Sequence, residues 1–215
     1  FAPVLREEAL RMLPSLTGPP GTNLSGVYLT YPPEKILRLT RLILPGIHNY
    51  AYVYDSRIST DLLMKESFDT LQEADRHGMT VHSLNVAEGT EVVLQQMKNL
   101  RIEAFGGIIG AYKNRETLAA SGVPMITSLL MDISVNEVAD RVRESNILAG
   151  LFDPLDYCGE QAGEMAADLL DGKNTIAATL PRPGRQVAFV NMDTAKRLHV
   201  PIPFTVLEAV DIVVK

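Results

Sequence analysis

Short β-prone runs alternate with amphipathic helical stretches along most of the chain, and this alternation constrains the fold more than any other feature. Tyr50-Ala51-Tyr52-Val53-Tyr54 reads as a strand, broken by Asp55-Ser56-Arg57. The next helix carries Leu63, Met64, Phe68, Leu71 and Ala74 on one stripe and closes at Gly78. Residues 80–86 form a second strand, and Thr90 is the N-cap of a helix bearing Val93, Leu94 and Met97. Further strands are predicted over 104–109, 124–127 and 147–151. Ser134-Val135-Asn136-Glu137 is a capping box opening a helix with Val138, Ala139 and Val142 inward. Asp153, Pro154 and Asp156 fit N-cap, N1 and N3 of a helix that closes at Gly172. Upstream, Pro32-Pro33-Glu34 start a helix through Ile36, Leu39 and Ile43 that ends before Pro45-Gly46. Strands alternating with capped helices argue for βα units and a largely parallel α/β sheet.

Length and charge narrow the function classes. A chain of 215 residues forms one large domain or two small ones. The Gly- and Pro-rich stretch 17–26 is the expected boundary or crossing. The formal charge of −6 and the scattered basic residues give no reason to expect binding to nucleic acid or an anionic membrane. The single cysteine, Cys158, excludes a disulfide framework and a cysteine-based zinc site; it reads as a half-buried small residue or, alternatively, a reactive thiol. No run of 18 apolar residues spans a membrane. The chain begins Phe1-Ala2-Pro3-Val4 with no initiator Met, which reads as a fragment, or a processed or partly ordered chain.

The C-terminal third carries the most specific motifs. Gly159, Gln161, Ala162, Glu164, Met165, Ala166, Leu169 (or Leu170), Gly172 and Lys173 are followed by Val190, Asn191, Thr194, Ala195, Lys196, Leu198, Ile202 and Pro203. This pair reads as a capped helix, then a strand, a sharp stop, a short helix and a Pro-rigidified exit. It resembles the signature of the tryptophan/tyrosine-type substrate-binding proteins of ABC transporters. Pro20-Gly21-Thr22-Asn23-Leu24-Ser25-Gly26 resembles that family's crossing from first to second lobe. The resemblance implies a periplasmic-binding-protein-like fold of type I, with doubly wound lobes joined by three crossings. Residues 1–26 and 150–185 would belong to a partial first lobe, and residues 27–149 and 186–215 to a full second lobe. It also implies that most of the first lobe is missing here, the remaining lobe being disordered or removed, or its exposed surface being covered by another copy in a homo-oligomer. The segment 112–124 is shorter than the family's, and Lys113 falls where the family often has Asp.

In open α/β sheets ligands bind beyond the carboxyl ends of the strands. That selects Asp55-Ser56-Arg57, Gly110-Ala111-Tyr112-Lys113, Thr127-Ser128 and Phe152-Asp153. Ser56 and Arg57 are candidates for a ligand carboxylate, or a solvated Arg beside an N-capping Ser. Lys113 is a second cationic contact or a solvated side chain. Tyr112 stacks on a ring or covers the strand end, and Ser128 offers a hydroxyl. Asp153 is an N-cap or the acceptor for a ligand ammonium. Gly106-Gly107-x-x-Gly110 lacks dinucleotide-binding spacing, and His48, His77, His82 and His199 have no metal-binding spacing.

No nucleophile–base pair, metal site or cofactor motif is visible, so no enzyme and no cofactor is expected. The resemblance implies an extracytoplasmic protein, soluble or lipid-anchored through a segment ahead of Phe1. It would capture a small molecule, an amino acid or similar, between its lobes and hand it to an ABC permease. The alternative is a ligand-binding sensor domain of a membrane receptor or histidine kinase.

Overall fold

The computed structural model describes residues 4–18, 21–128, 134–143 and 145–215. Phe1-Ala2-Pro3 and Pro20 of the crossing motif lie outside them. The chain divides into two compact units. One gathers the described residues of Phe1–Thr30, Asp132–Val135 and Asp153–Gln186; the other gathers those of Tyr31–Met131, Asn136–Phe152 and Val187–Lys215.

In chain order the elements are β1 (Val4–Leu5), α1 (Arg6–Met12), β2 (Val27–Leu29), α2 (Pro33–Ile43), β3 (Asn49–Tyr54), α3 (Ser59–Asp69) and β4 (Thr80–Asn85). Then come α4 (Thr90–Asn99), β5 (Ala104–Gly106), α5 (Ile109–Lys113), α6 (Arg115–Leu118), β6 (Met125–Thr127), α7 (Val138–Val142) and β7 (Ile147–Phe152). The chain ends with α8 (Leu155–Leu170), β8 (Arg182–Pro183), β9 (Val187–Asn191), α9 (Met192–Arg197), α10 (Phe204–Ala209) and β10 (Ile212–Val214).

In the first unit β1, β2 and β8 form a parallel sheet in the order β1-β2-β8. Ala9, Leu13 and Leu16 make one core cluster, packed by Val4 and Tyr28; Val27, Cys158 and Met165 make another, packed by Leu29 and Ala162. Cys158 is therefore wholly buried on α8 rather than half-buried, and burial, with the charges of Asp153 and Asp156, pushes its thiol up to about 11.

The second unit is a seven-stranded sheet in the order β10-β9-β7-β6-β5-β3-β4. Every neighbouring pair is parallel except β7 with β9. The fold is thus α/β with a mainly parallel sheet, as the alternation predicts. Tyr50, Ala51, Tyr52 and Val53 of β3 are all buried, the pattern of a strand covered on both faces. α2 begins as its sequence dictates, with Pro33 inside the first turn, and buries Ile36, Leu37, Leu39, Thr40 and Ile43. Tyr52 stacks on Phe68 at 4.5 Å between ring centroids. The Tyr50 hydroxyl donates to the Ile126 carbonyl at 3.1 Å, beside the register shift between Met125 and Ile126. It passes over Gly106, where a Cβ would lie 2.1 Å from both that hydroxyl and the Ile126 oxygen. Only glycine fits there.

β4, β6 and β7 fall within one residue of their expected bounds, and three other elements of the second unit differ more instructively. α3 ends at Asp69, not Gly78, with Thr70 as its C-cap, whose N–H and hydroxyl both donate to the Glu66 carbonyl, at 3.0 and 2.8 Å; Ala74 sits on a separate, exposed turn. α4 has Gly89, at φ 115°, as its N-cap, so Thr90 is its first helical residue and not the cap. β5 stops at Gly106, and Ile109 already begins a helix.

Candidate ligand-binding site

The strand order of the second unit marks one place. From β3 the chain moves outward to β4 at the edge, then returns to β5 on the other side of β3. The order reverses between β3 and β5, and the carboxyl ends of the strands at such a reversal are where open α/β sheets place their ligands. The residues there are Asp55-Ser56-Arg57 after β3 and Gly107 to Lys113 after β5.

Asp61 joins the two loops. It is wholly buried in the first turn of α3. Its Oδ2 accepts the backbone N–H of Asp55 and of Gly110, both at 2.8 Å, and its Oδ1 accepts that of Ile109 at 3.1 Å. Burial raises its pKa, while the three N–H groups favour the ionised form that can accept from all of them. Gly110 is required at this junction: a Cβ there would lie 2.5 Å from Asp61 Oδ2 and 2.7 Å from the Asp55 nitrogen. The close approach is made by the protein's own carboxylate. This also explains why β5 ends early, since the N–H groups of residues 109 and 110 are drawn to Asp61.

Asp55 is buried and aims its carboxylate at Arg57. Its Oδ1 accepts the Arg57 backbone N–H at 2.9 Å and Nε–H at 2.8 Å, and its Oδ2 accepts Nη2–H at 2.7 Å. The Arg57 side chain remains 72% exposed. The side-chain bond from Arg57 is the main cause that lowers the Asp55 pKa to about 2; burial opposes it, and the Lys113 charge adds to the lowering. Ser56 is exposed and tied to the end of β4: its N–H donates to Asn85 Oδ1, and Asn85 Nδ2 donates to its hydroxyl, each at 3.1 Å.

Of the residues singled out in the sequence, Ser56, Arg57 and Lys113 gather around Asp55. Tyr112 and Lys113 stand in the helical turn α5, not in a loop. The Tyr112 ring is half-buried and carries the Arg115 guanidinium 4.5 Å from its centroid. Ser128 is buried one residue beyond β6, where Thr127 donates to the Gly107 carbonyl at 2.6 Å. Asp153 belongs to the first unit. It does not cap α8, whose N-cap is Pro154; its Oδ2 accepts the Thr30 N–H at 3.4 Å, and it packs against Gly184.

Sequence reasoning passed over Asp61 and Asn85. Asp61 did carry a signal: it stands three and seven residues before Met64 and Phe68, an acid on the stripe that α3 buries. Among the described residues no group of three or more His, Cys, Asp or Glu could hold a metal ion. A cavity of about 500 Å³ lined by Glu91, Leu94, Lys98, Arg101 and Val123 lies on α4 and the segments entering β5 and β6, at the opposite strand ends.

No protein-family model matches the chain, and none of the curated proteins matches it. Solved structures do. The chain superposes on the ABC domain of Streptococcus pneumonia in complex with L-Trp, with a TM-score of 0.75 at 20% identity, over 99% of this chain and 70% of that one. It superposes on the ligand-free, open form of a substrate binding protein with adhesive properties from Clostridium difficile, with a TM-score of 0.76 at 18% identity, over 99% and 70%. The fold is that of the periplasmic binding proteins. A third structure, an ABC transporter solute binding protein from Agrobacterium vitis bound with alpha-D-tagatopyranose, matches with a TM-score of 0.50 at 14% identity, over 81% and 61%. Proteins of this fold thus hold ligands as different as an amino acid and a sugar. Among the described residues no helix is long and apolar enough to cross a membrane.

Proposed function

We propose that the protein captures a small polar solute outside the cytoplasm for an ABC importer and performs no chemistry on it. The observation that carries this reading is superposition over 99% of the chain on a substrate binding protein. The place proposed for the solute is the β3/β5 reversal, where Ser56 and Arg57 follow β3 and Tyr112 and Lys113 stand on α5. Ser56, Arg57, Tyr112, Lys113 and Ser128 are the proposed contacts in the second unit. Asp153 is a separate candidate in the first unit, where its Oδ2 accepts the Thr30 N–H. The resemblance to the tryptophan/tyrosine-type proteins favours amino acids or similar molecules, with the carboxylate at Ser56 and Arg57. The partner is an ABC permease.

Native mass spectrometry of the purified full-length protein should reveal the co-purified solute, and calorimetry with that solute tests the site. Arg57→Ala should weaken binding by about 1.5–3 kcal/mol, the size of a charged hydrogen bond. Unchanged affinity in both Arg57→Ala and Tyr112→Ala would remove this site from consideration.

A further inference from the structure

The cavity of about 500 Å³ in the second unit lies at the strand ends opposite the proposed solute contacts. Small-molecule sites span about 300–1,000 Å³, so it is large enough to hold a ligand of its own. Its floor is apolar: Met97 and Ile102 are buried there, and Leu94 and Val123 are half-buried. Its rim carries two exposed cations, Lys98 and Arg101. Among the described residues neither side chain has a hydrogen bond or an ion pair. Arg41 and Arg57, by contrast, spend their guanidinium groups on the His77 carbonyl and on Asp55. Glu91, the acid that lines the same cavity, stands seven residues before Lys98, about 10 Å along the helix axis. Arg101 also occupies a position that usually goes to glycine. α4 closes with the Arg101 N–H donating to the Lys98 carbonyl at 3.2 Å and the Ile102 N–H to the Met97 carbonyl at 2.9 Å, which sets Arg101 at φ 52°. α8 closes in the same way on Gly172, and α9 on His199. The conformation by itself therefore assigns nothing; what sets Arg101 apart is the cavity that it lines.

We propose that this cavity is a second binding site, for a small organic anion whose apolar body rests on Leu94, Met97, Ile102 and Val123 and whose acid group meets Lys98 and Arg101. Burial of the body on the apolar floor supplies the attraction, and the two cations fix which end of the ligand lies where. The C-terminal end of α4 carries only about half a negative charge, which two full positive charges outweigh. Glu91, at the other end of the helix, repels an acid group and so disfavours the reversed pose. The site shares no residue with the one proposed for the solute, and it stands or falls separately from solute capture.

The test uses the full-length protein and three acids, benzoate, octanoate and 2-naphthoate, each paired with its neutral alcohol. In titrations followed by backbone amide NMR shifts, at least one acid should bind with a Kd below about 1 mM, and its alcohol about tenfold or more weakly. The shifts should fall on Leu94–Ile102 and Ala120–Val123 and leave Asp55–Arg57 unmoved. Lys98→Gln combined with Arg101→Gly should lower the acid's affinity by about tenfold or more. Arg101→Gly alone should keep or raise the urea midpoint, because glycine takes a positive φ without strain, so binding lost in that variant is not folding lost. Lys98→Gln, a change on an exposed helix face, gives the same reading without touching the turn. The inference is overturned if none of the acids binds below about 1 mM, if acid and alcohol bind alike, or if the double variant keeps the affinity. Shifts at Asp55–Arg57 instead would assign the acid to the solute site and overturn it too. Sedimentation with phosphatidylglycerol vesicles that depends on Lys98 and Arg101, with no binding of the free acids, would replace the small anion by a membrane surface.

Discussion

Two strand-to-helix turns of the second unit solve one problem by different means. Where β9 runs into α9, Asn191 caps the helix locally: its Oδ1 accepts the N–H groups of Asp193 and Thr194 at 3.1 and 3.2 Å. Its amide N–H₂ donates to the Val142 and Ile147 carbonyls, so one buried side chain satisfies four backbone groups. Where β3 runs into α3, the chain turns through Asp55-Ser56-Arg57, and the side chain that holds it is Asp61, which also grips Ile109 and Gly110, 48 and 49 residues further on. The first turn buries its capping amide and Thr194 completely. The second leaves Arg57 at the surface. A fold can close a turn with a neutral amide and have nothing left over. Closing it with carboxylates brings cations to the rim, which is what a binding site needs.

The largest expected effect is at the closed turn. Asn191→Ala would strand the N–H donors of Asp193 and Thr194 and take a donor from the Val142 and Ile147 carbonyls, of which Val142 keeps the Ser145 N–H and hydroxyl. At about 1–3 kcal/mol for each buried unsatisfied group, with partial relaxation, the loss should reach about 3–5 kcal/mol. Urea denaturation measures it. A loss below about 1 kcal/mol would mean that water or neighbouring groups replace the amide, and that this turn is no more closed than the other.

The same contrast explains what could be read from sequence. The β9–α9 turn is legible because its cap acts over two and three residues, and the β3, β4, β6, β7 and β9 strands are legible because their apolar runs lie between turn residues. The early end of β5 is not legible: residues 104–109 are β-prone, and the groups that stop them sit on α3. Asp153 has the composition and spacing of a cap, yet Thr30, 123 residues earlier, takes its carboxylate. Ser56, Arg57 and Lys113 can be chosen from strand ends alone, but their grouping around Asp55 depends on the strand order. Asp61 stands in the buried stripe of an amphipathic helix, and only its charge sets it apart there.

A smaller effect is expected at the open turn. In Asp61→Asn the amide oxygen can replace Oδ2 toward Asp55 and Gly110, but its N–H₂ then faces the Ile109 N–H. The loss should be about 1–3 kcal/mol, the cost of one unsatisfied donor, reduced because the buried charge is also gone. Hydrogen exchange should speed up at Ile109 and change little at Asp193 and Thr194. Uniform acceleration at both turns would show that they do not stabilise independently.

The smallest effect is the pH response of the pair that the open turn exposes. Arg57 holds the Asp55 carboxyl down to about 2 from its ordinary 3.8. A carboxyl with a depressed folded-state pKa binds fewer protons folded than unfolded. Its contribution is therefore complete above the ordinary value and is lost as pH falls through about 2. Asp61 acts in the opposite sense, because burial raises its pKa: its protonated form is the one that folding favours, and its ionisation costs stability as pH rises through the carboxylate range. Stability of the protein from pH 5 to 2 therefore contains two opposed slopes from neighbouring carboxylates. Arg57→Ala should remove the acid-side loss attributed to Asp55, and Asp61→Asn should remove the opposing slope, each read from urea midpoints at stepped pH. Because Arg57 is largely exposed, added salt should shrink the Asp55 slope and leave the Asp61 slope nearly unchanged. If salt moves both slopes equally, Asp61 is not the secluded group that the three backbone bonds describe, and the contrast between a screened rim and a buried clasp fails.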